Sequence, residues 1–125
     1  MQPSQPSLIP VYKSNGELGA YLAYPYLYNN AGEWIGWVTN DRQVYSVLGY
    51  HVGYLTNDPR IVRRASDDEK PRKSPPPKPA QIKPPASVPL ASLMSDLTFG
   101  ITDILLDEPE RLHTRDTGEM MQDMD

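Results

Sequence analysis

The chain has no cysteine, so it offers no disulfide, no thiolate metal ligand and no cysteine nucleophile. Its only two histidines, His51 and His113, lie far apart, without the i, i+4 spacing or neighbouring carboxylates of a metal site. No apolar run approaches the roughly 18 residues a membrane-spanning helix needs. The amino end, MQPSQPSLIP, has neither the basic start nor the continuous apolar stretch of a secretion signal, which makes a cytoplasmic location the expectation. Acid–base catalysis by paired carboxylates needs surroundings that split their pKa values, and no such pattern is present. The expectation is a non-enzymatic protein with no metal and no cofactor.

What the 125 residues do contain is unevenly spread. Ten of the 11 aromatic residues fall between Tyr12 and Tyr54, and eight of the 14 prolines between Pro71 and Pro89. Net charge runs −2 over residues 1–59, +5 over 60–83 and −7 over 84–125, giving the total of −4. This divides the chain into a short amino-terminal tail (1–7), an aromatic head (8–64), a basic proline-rich linker (65–86), an amphipathic segment (87–107) and an acidic tail (108–125). Both tails, 1–7 and 108–125, are expected to be disordered.

The head is a repeat. VYKSNGELGAYL (residues 11–22), LYNNAGEWIGWV (27–38) and VYSVLGYHVGYL (44–55) align without a gap. Their second residue is always Tyr (Tyr12, Tyr28, Tyr45) and their sixth always Gly (Gly16, Gly32, Gly49). The tenth is small (Ala20, Gly36, Gly53), the eleventh a large aromatic (Tyr21, Trp37, Tyr54) and the twelfth aliphatic. Each unit reads as a β-hairpin, with Asn15-Gly16 supplying the positive φ of a tight turn and Thr-Asn-Asp leading the chain into the next unit. Strand side chains alternate between faces. A small residue recurring at the tenth position therefore marks close approach by another backbone or a sharp bend, which leaves two arrangements open: hairpins converging on an axis, or a twisted open meander in which the glycines relieve crowding. A fourth unit begins at Ile61 and stops at Arg63-Arg64. Two completions are open: residues 60–64 with 7–10, or a partner chain.

These units, LYNNAGEWIGWV above all, resemble the four-fold β-flower domain, a small bacterial module of antiparallel hairpins arranged as petals. The resemblance covers about residues 10–64. It implies an all-β, barrel-like array of hairpins and carries no activity with it. GWVTNDRQVYSVLGYHVGYL is also similar to choline-binding wall-anchoring repeats, and GEWIG to the MORN repeat, but the period here is 16–17 residues with no export signal, and the MORN spacing of Tyr and Gly does not persist across the three units.

Several candidate sites follow from the residues. Tyr21, Trp37 and Tyr54, with Trp34, would form an aromatic ring able to stack on sugars or bases, hold quaternary ammonium groups or sit at lipid headgroup depth. The competing assignment makes them the core of a head with little else to bury. Arg60, Arg63 and Arg64 would contact phosphate on a lipid or nucleic acid, and the competing assignment, favoured by the interrupting Asp67, Asp68 and Glu69, makes this basic stretch a charged, solvated linker. Lys73-Ser74-Pro75-Pro76-Pro77-Lys78-Pro79 has the form of a polyproline ligand, although an extended semi-rigid spacer is the default for this composition. Leu90, Leu93, Met94, Leu97, Ile101, Ile104 and Leu105 trace one helical face, which predicts a helix that docks on the chain's own head, on a second copy of the chain or on a separate partner protein. The fold expected is an all-β hairpin array followed by a linker and one C-terminal helix. The function expected is binding or adaptor work through protein contacts, with lipid or small-ligand binding as the alternative, choline or cell-wall binding as a further one, and nucleic acid disfavoured by the acidic total.

Overall fold

A computed structural model describes residues 8–67 and 70–115. Eight strands form one curled sheet: β1 (Ile9–Tyr12), β2 (Leu18–Ala23), β3 (Tyr26–Tyr28), β4 (Trp34–Val38), β5 (Gln43–Ser46), β6 (His51–Leu55), β7 (Ile61–Arg64) and β8 (Ile101–Asp103). They are paired in sequence order and every pair is antiparallel. Each of the three repeat units is one hairpin. At every tip the third residue donates to the seventh and the sixth-place glycine donates back to the third, as in Lys13 N–H to Glu17 O (2.8 Å) and Gly16 N–H to Lys13 O (2.9 Å). The register slips by one residue at the same place in each, just before Tyr12, Tyr28 and Tyr45.

The inner face is aliphatic. Val11, Leu27, Val44 and Ile61, the first residue of each unit, pack with Leu22, Val38 and Leu55, the twelfth, all buried. The tenth position is as crowded as its small residues imply. A Cβ on Gly36 would lie 2.5 Å from Tyr45 O, and one on Gly53 2.3 Å from Val62 O, both shorter than van der Waals contact.

The fourth petal is completed from within the chain, not by residues 7–10 or a partner. β8 pairs with β7 (Val62↔Asp103, Arg63↔Thr102, Arg64↔Ile101), across an intervening stretch of residues 65–100. Ser7 lies outside the described residues, and the segment from Ile9 pairs with β2 instead. A single backbone bond then ties the fourth petal to the first, although among the described residues β1 and β8 remain the two unpaired ends of the sheet. In units two and three the carbonyl two residues before the unit accepts from the unit's own twelfth residue, Val38 N–H to Pro25 O and Leu55 N–H to Arg42 O, both 2.8 Å. For the fourth unit that carbonyl is Pro59 O, and its donor is Tyr12 of the first petal, at 3.1 Å. Asp103 adds a polar stitch between β8 and the first petal by accepting from Ser14 N–H (2.7 Å) and Ser14 Oγ (2.5 Å).

The C-terminal helix α1 is one turn, Ile104–Asp107, in place of the helix expected over 87–107. Residues 87–98 are irregular, and Gly100 takes a left-handed φ of +87° that no helix interior accommodates. The unpaired edge of β7 competes for this stretch and wins, because its backbone groups need partners and residues 101–103 supply them. Of the expected helical face, Ile101 lies in a strand, while Ile104 and Leu105 turn into the aliphatic core. Leu90 and Leu93 are fully exposed. Among the described residues no helix is long and apolar enough to cross a membrane.

Candidate functional site

The sheet's other face is aromatic, and the proline-rich segment covers it. Tyr21, Tyr28, Trp34, Ala23 and Val47 form a second cluster, against which Ile82 and Val88 of that segment pack. The segment is a strap, not a free linker. It leaves β7 and reaches the third hairpin, where Lys73 N–H donates to Gly49 O at 2.9 Å and Arg72 Nε to Leu48 O at 2.7 Å. Nine residues later it repeats the contact on the second hairpin, with Ile82 N–H to Gly32 O at 3.0 Å. It meets the first hairpin where Tyr12 Oη donates to Pro89 O at 2.5 Å, then returns as β8 beside β7. It thus visits petals three, two and one and comes back to four. Each latch needs a glycine. A Cβ on Gly32 would lie 2.0 Å from Ile82 O, and one on Gly49 2.0 Å from Lys73 O. Prolines suit the strap because their fixed φ leaves less chain entropy to lose on docking.

Basic side chains and a histidine gather on the rings of the third petal. Trp37 stacks on Tyr45 (centroids 4.8 Å, 21° between planes), and His51 meets the same tyrosine edge-on at 5.3 Å. Cations stand over its rings: Lys73 over Tyr45 at 5.4 Å, Arg72 over Tyr50 at 4.9 Å and Arg64 over Tyr54 at 5.4 Å. His51 Nε2 lies 2.8 Å from Gln43 Oε1. Beside them is a cleft of about 490 Å³, walled by Gln43, His51, Tyr54, Arg64, Asp67 and Lys70. Burial, then the charges of Lys70 and Arg63, hold the His51 imidazole below its usual range. Burial, aided by Asp41, raises the Tyr45 phenol.

The anticipated aromatic ring is therefore divided. Tyr21 and Trp34 are buried in the strap-covered cluster, while Trp37 and Tyr54 are half-buried. Trp34 Nε1 is spent on Gly36 O (2.7 Å) and Trp37 Nε1 on Ser46 O (3.2 Å). Arg60 does not face a ligand surface: it is buried, paired with Asp58 at 2.7 Å and bonded to Ser14 Oγ at 3.0 Å. Burial works to raise the Asp58 carboxyl, but hydrogen bonds from Thr56 and Arg60 and the Arg60 charge together hold it below its usual range. Arg63 is half-buried and Arg64 exposed. Met94 and Leu97 are half-buried in irregular chain.

Of the latching residues, Lys73 begins the stretch with the form of a polyproline ligand, whereas Ile82 was not among the candidates read from the sequence. Their signal is a nine-residue echo, Lys73-Ser74-Pro75-Pro76 against Ile82-Lys83-Pro84-Pro85, within the segment taken for a spacer. Compared with known proteins, residues 9–100 match the family described as "4-fold beta flower protein". That match extends past the three hairpins and takes in the whole strap. No curated protein and no solved structure is significantly similar to the chain.

Proposed function

Because the chain belongs to the 4-fold β-flower family, its petals are the surface to explain, and we propose that their aromatic face is a non-enzymatic binding surface for extended proline-rich peptide, filled here by the chain's own strap. The observation that carries this reading is the recurrence of one contact on two petals: an extended-chain amide donating to the carbonyl of a left-handed glycine, at Gly49 and again at Gly32. Aromatic grooves that hold polyproline helices use the same chemistry, a pre-extended ligand with little entropy to lose against flat rings. The strap would then be an intramolecular ligand, and the module an adaptor. Its exposed Leu90, Leu93 and Phe99 would contribute a second contact surface for protein.

The test replaces residues 70–89 by a Gly/Ser segment of equal length and adds a labelled peptide of the native 70–89 sequence. Saturable anisotropy on the folded variant is expected. A flat titration on a variant that keeps its strand signature would contradict the reading. Lipid or small-ligand binding is the second reading, favoured by half-open Trp37 and Tyr54, the latter on the cleft with basic Arg64 and Lys70. It predicts a blue shift of tryptophan emission when the full chain meets anionic vesicles, and peptide binding predicts none.

A further inference from the structure

The two latches are copies of one another, and the fold holds a third copy of their hairpin half. Gly16 occupies the place of Gly32 and Gly49, with φ of +89° against +84° and +90°. Its amide bonds back to Lys13 O at 2.9 Å, as theirs do to Asn29 O at 3.0 Å and Ser46 O at 2.9 Å. The difference lies outside the turn. Gly32 and Gly49 are buried beneath the strap, whereas Gly16 is exposed and a Cβ there would meet nothing within 4 Å. Among the described residues no backbone amide reaches the Gly16 carbonyl.

The strap's stride explains why. Nine residues separate Lys73 from Ile82, and nine more lead to Ala91. Ala91 comes alongside the turn without entering it: residues 90–94 form one wall of a groove of about 530 Å³, and Ser14, Asn15 and Gly16 form the other. In both filled latches a Pro-Pro pair follows two residues after the latching amide, Pro75-Pro76 and Pro84-Pro85, and at the third place stand Leu93-Met94. The third stretch therefore lacks the backbone that proline pre-sets.

We propose that the Gly16 hairpin is an open third seat, which takes an extended proline-rich segment of a separate partner protein. The partner's amide donates to the Gly16 carbonyl, its Pro-Pro pair follows two residues on, and Leu90 and Leu93 form the apolar far wall. This rests on the reading of the petal face as a proline-rich peptide surface and names the seat still open on it. A second copy of this chain is a poor donor, because both its proline runs, Pro75-Pro76-Pro77 and Pro84-Pro85, follow amides already bound to its own Gly49 and Gly32.

The experiment uses the isotope-labelled full chain and, as probe, the unlabelled nonapeptide QIKPPASVP, the sequence of residues 81–89. The expected result is a saturable shift of the Asn15, Gly16 and Glu17 amides. Gly16→Asn should weaken it roughly tenfold or more, since asparagine tolerates the left-handed turn while its Cβ fills the seat. Shifts centred on Gly32 or Gly49 would mean that the probe merely exchanges with the strap, overturning the open seat and leaving the peptide face intact. Binding to the Gly/Ser strap variant alone would have the same meaning. Binding to neither protein would overturn both. Concentration-dependent shifts at residues 15–17 without peptide would assign the seat to a second copy and overturn the separate partner.

Discussion

Gly49 and Gly16 share a backbone conformation but not a neighbour, so they separate two costs that usually come together. Alanine at either position pays about 1–2 kcal/mol for a left-handed backbone. At Gly49 its Cβ would also collide with Lys73 O, whereas at Gly16 the space is open. Gly49→Ala should therefore free the strap and speed tryptic cleavage after Arg72 and Lys73, and Gly16→Ala should lower stability without exposing those bonds. Equal cleavage in the two variants would contradict the latch. His51 supplies a second residue-scale prediction. Its folded-state pKa is lowered, first by burial and then by Lys70 and Arg63, with Asp67 opposing them. The unfolded chain thus binds more protons as pH falls through the ordinary histidine range of about 6.5, and stability rises with pH there. The urea midpoint should drop between about pH 7 and 5.5, and His51→Gln should flatten that slope. The lowered carboxyl of Asp58 acts separately, at more acid pH, where its protonation weakens the hold on buried Arg60.

The elements differ in how far their sequence announces them. The three hairpins were legible because each carries its own turn glycine and strand alternation, and because three aligned copies fix the register. The mid-strand glycines were legible for the same reason: a small residue repeated at one position marks a close approach, and Tyr45 O and Val62 O provide it. β8 was hidden, because Ile101, Ile104 and Leu105 fit a helical face as well as they fit a strand followed by one helical turn. What decides between them is β7's open edge, which lies 37 residues earlier in the pairing of Arg64 with Ile101 and leaves no mark nearby in sequence. The strap was hidden differently. Proline content says that a segment is extended but not what it lies against. Asp103 is the residue on which this end of the sheet depends. It caps α1 by accepting from Leu106 N–H at 3.2 Å while it holds Ser14. Replacing it with alanine removes three bonds to a buried carboxylate, and a loss of about 3 kcal/mol or more is expected in chemical denaturation. An unchanged midpoint would mean that Asp103 does not join β8 to the first petal.

At the scale of the molecule, the head cannot be cut out at residue 64, because its eighth strand and the core residues Ile104, Leu105 and Leu112 come after the strap. The strap therefore closes a loop of residues 65–100 within the domain and is bound along the way at Gly49, at Gly32 and at Tyr12. Loop closure alone grows only slowly with length, so a long insertion at the fourth tip is tolerable, and the latches turn it into structure. Such an arrangement gives the module a built-in competitor for any proline-rich peptide that approaches the same petals. The most direct measurement is amide hydrogen exchange along the strap in the intact protein. Lys73 and Ile82, which donate to Gly49 and Gly32, should exchange at least about tenfold more slowly than the following amides of Ser74 and Lys83, giving protection every nine residues. Uniform exchange at unstructured-chain rates across residues 72–88 would show that the segment is a free linker after all.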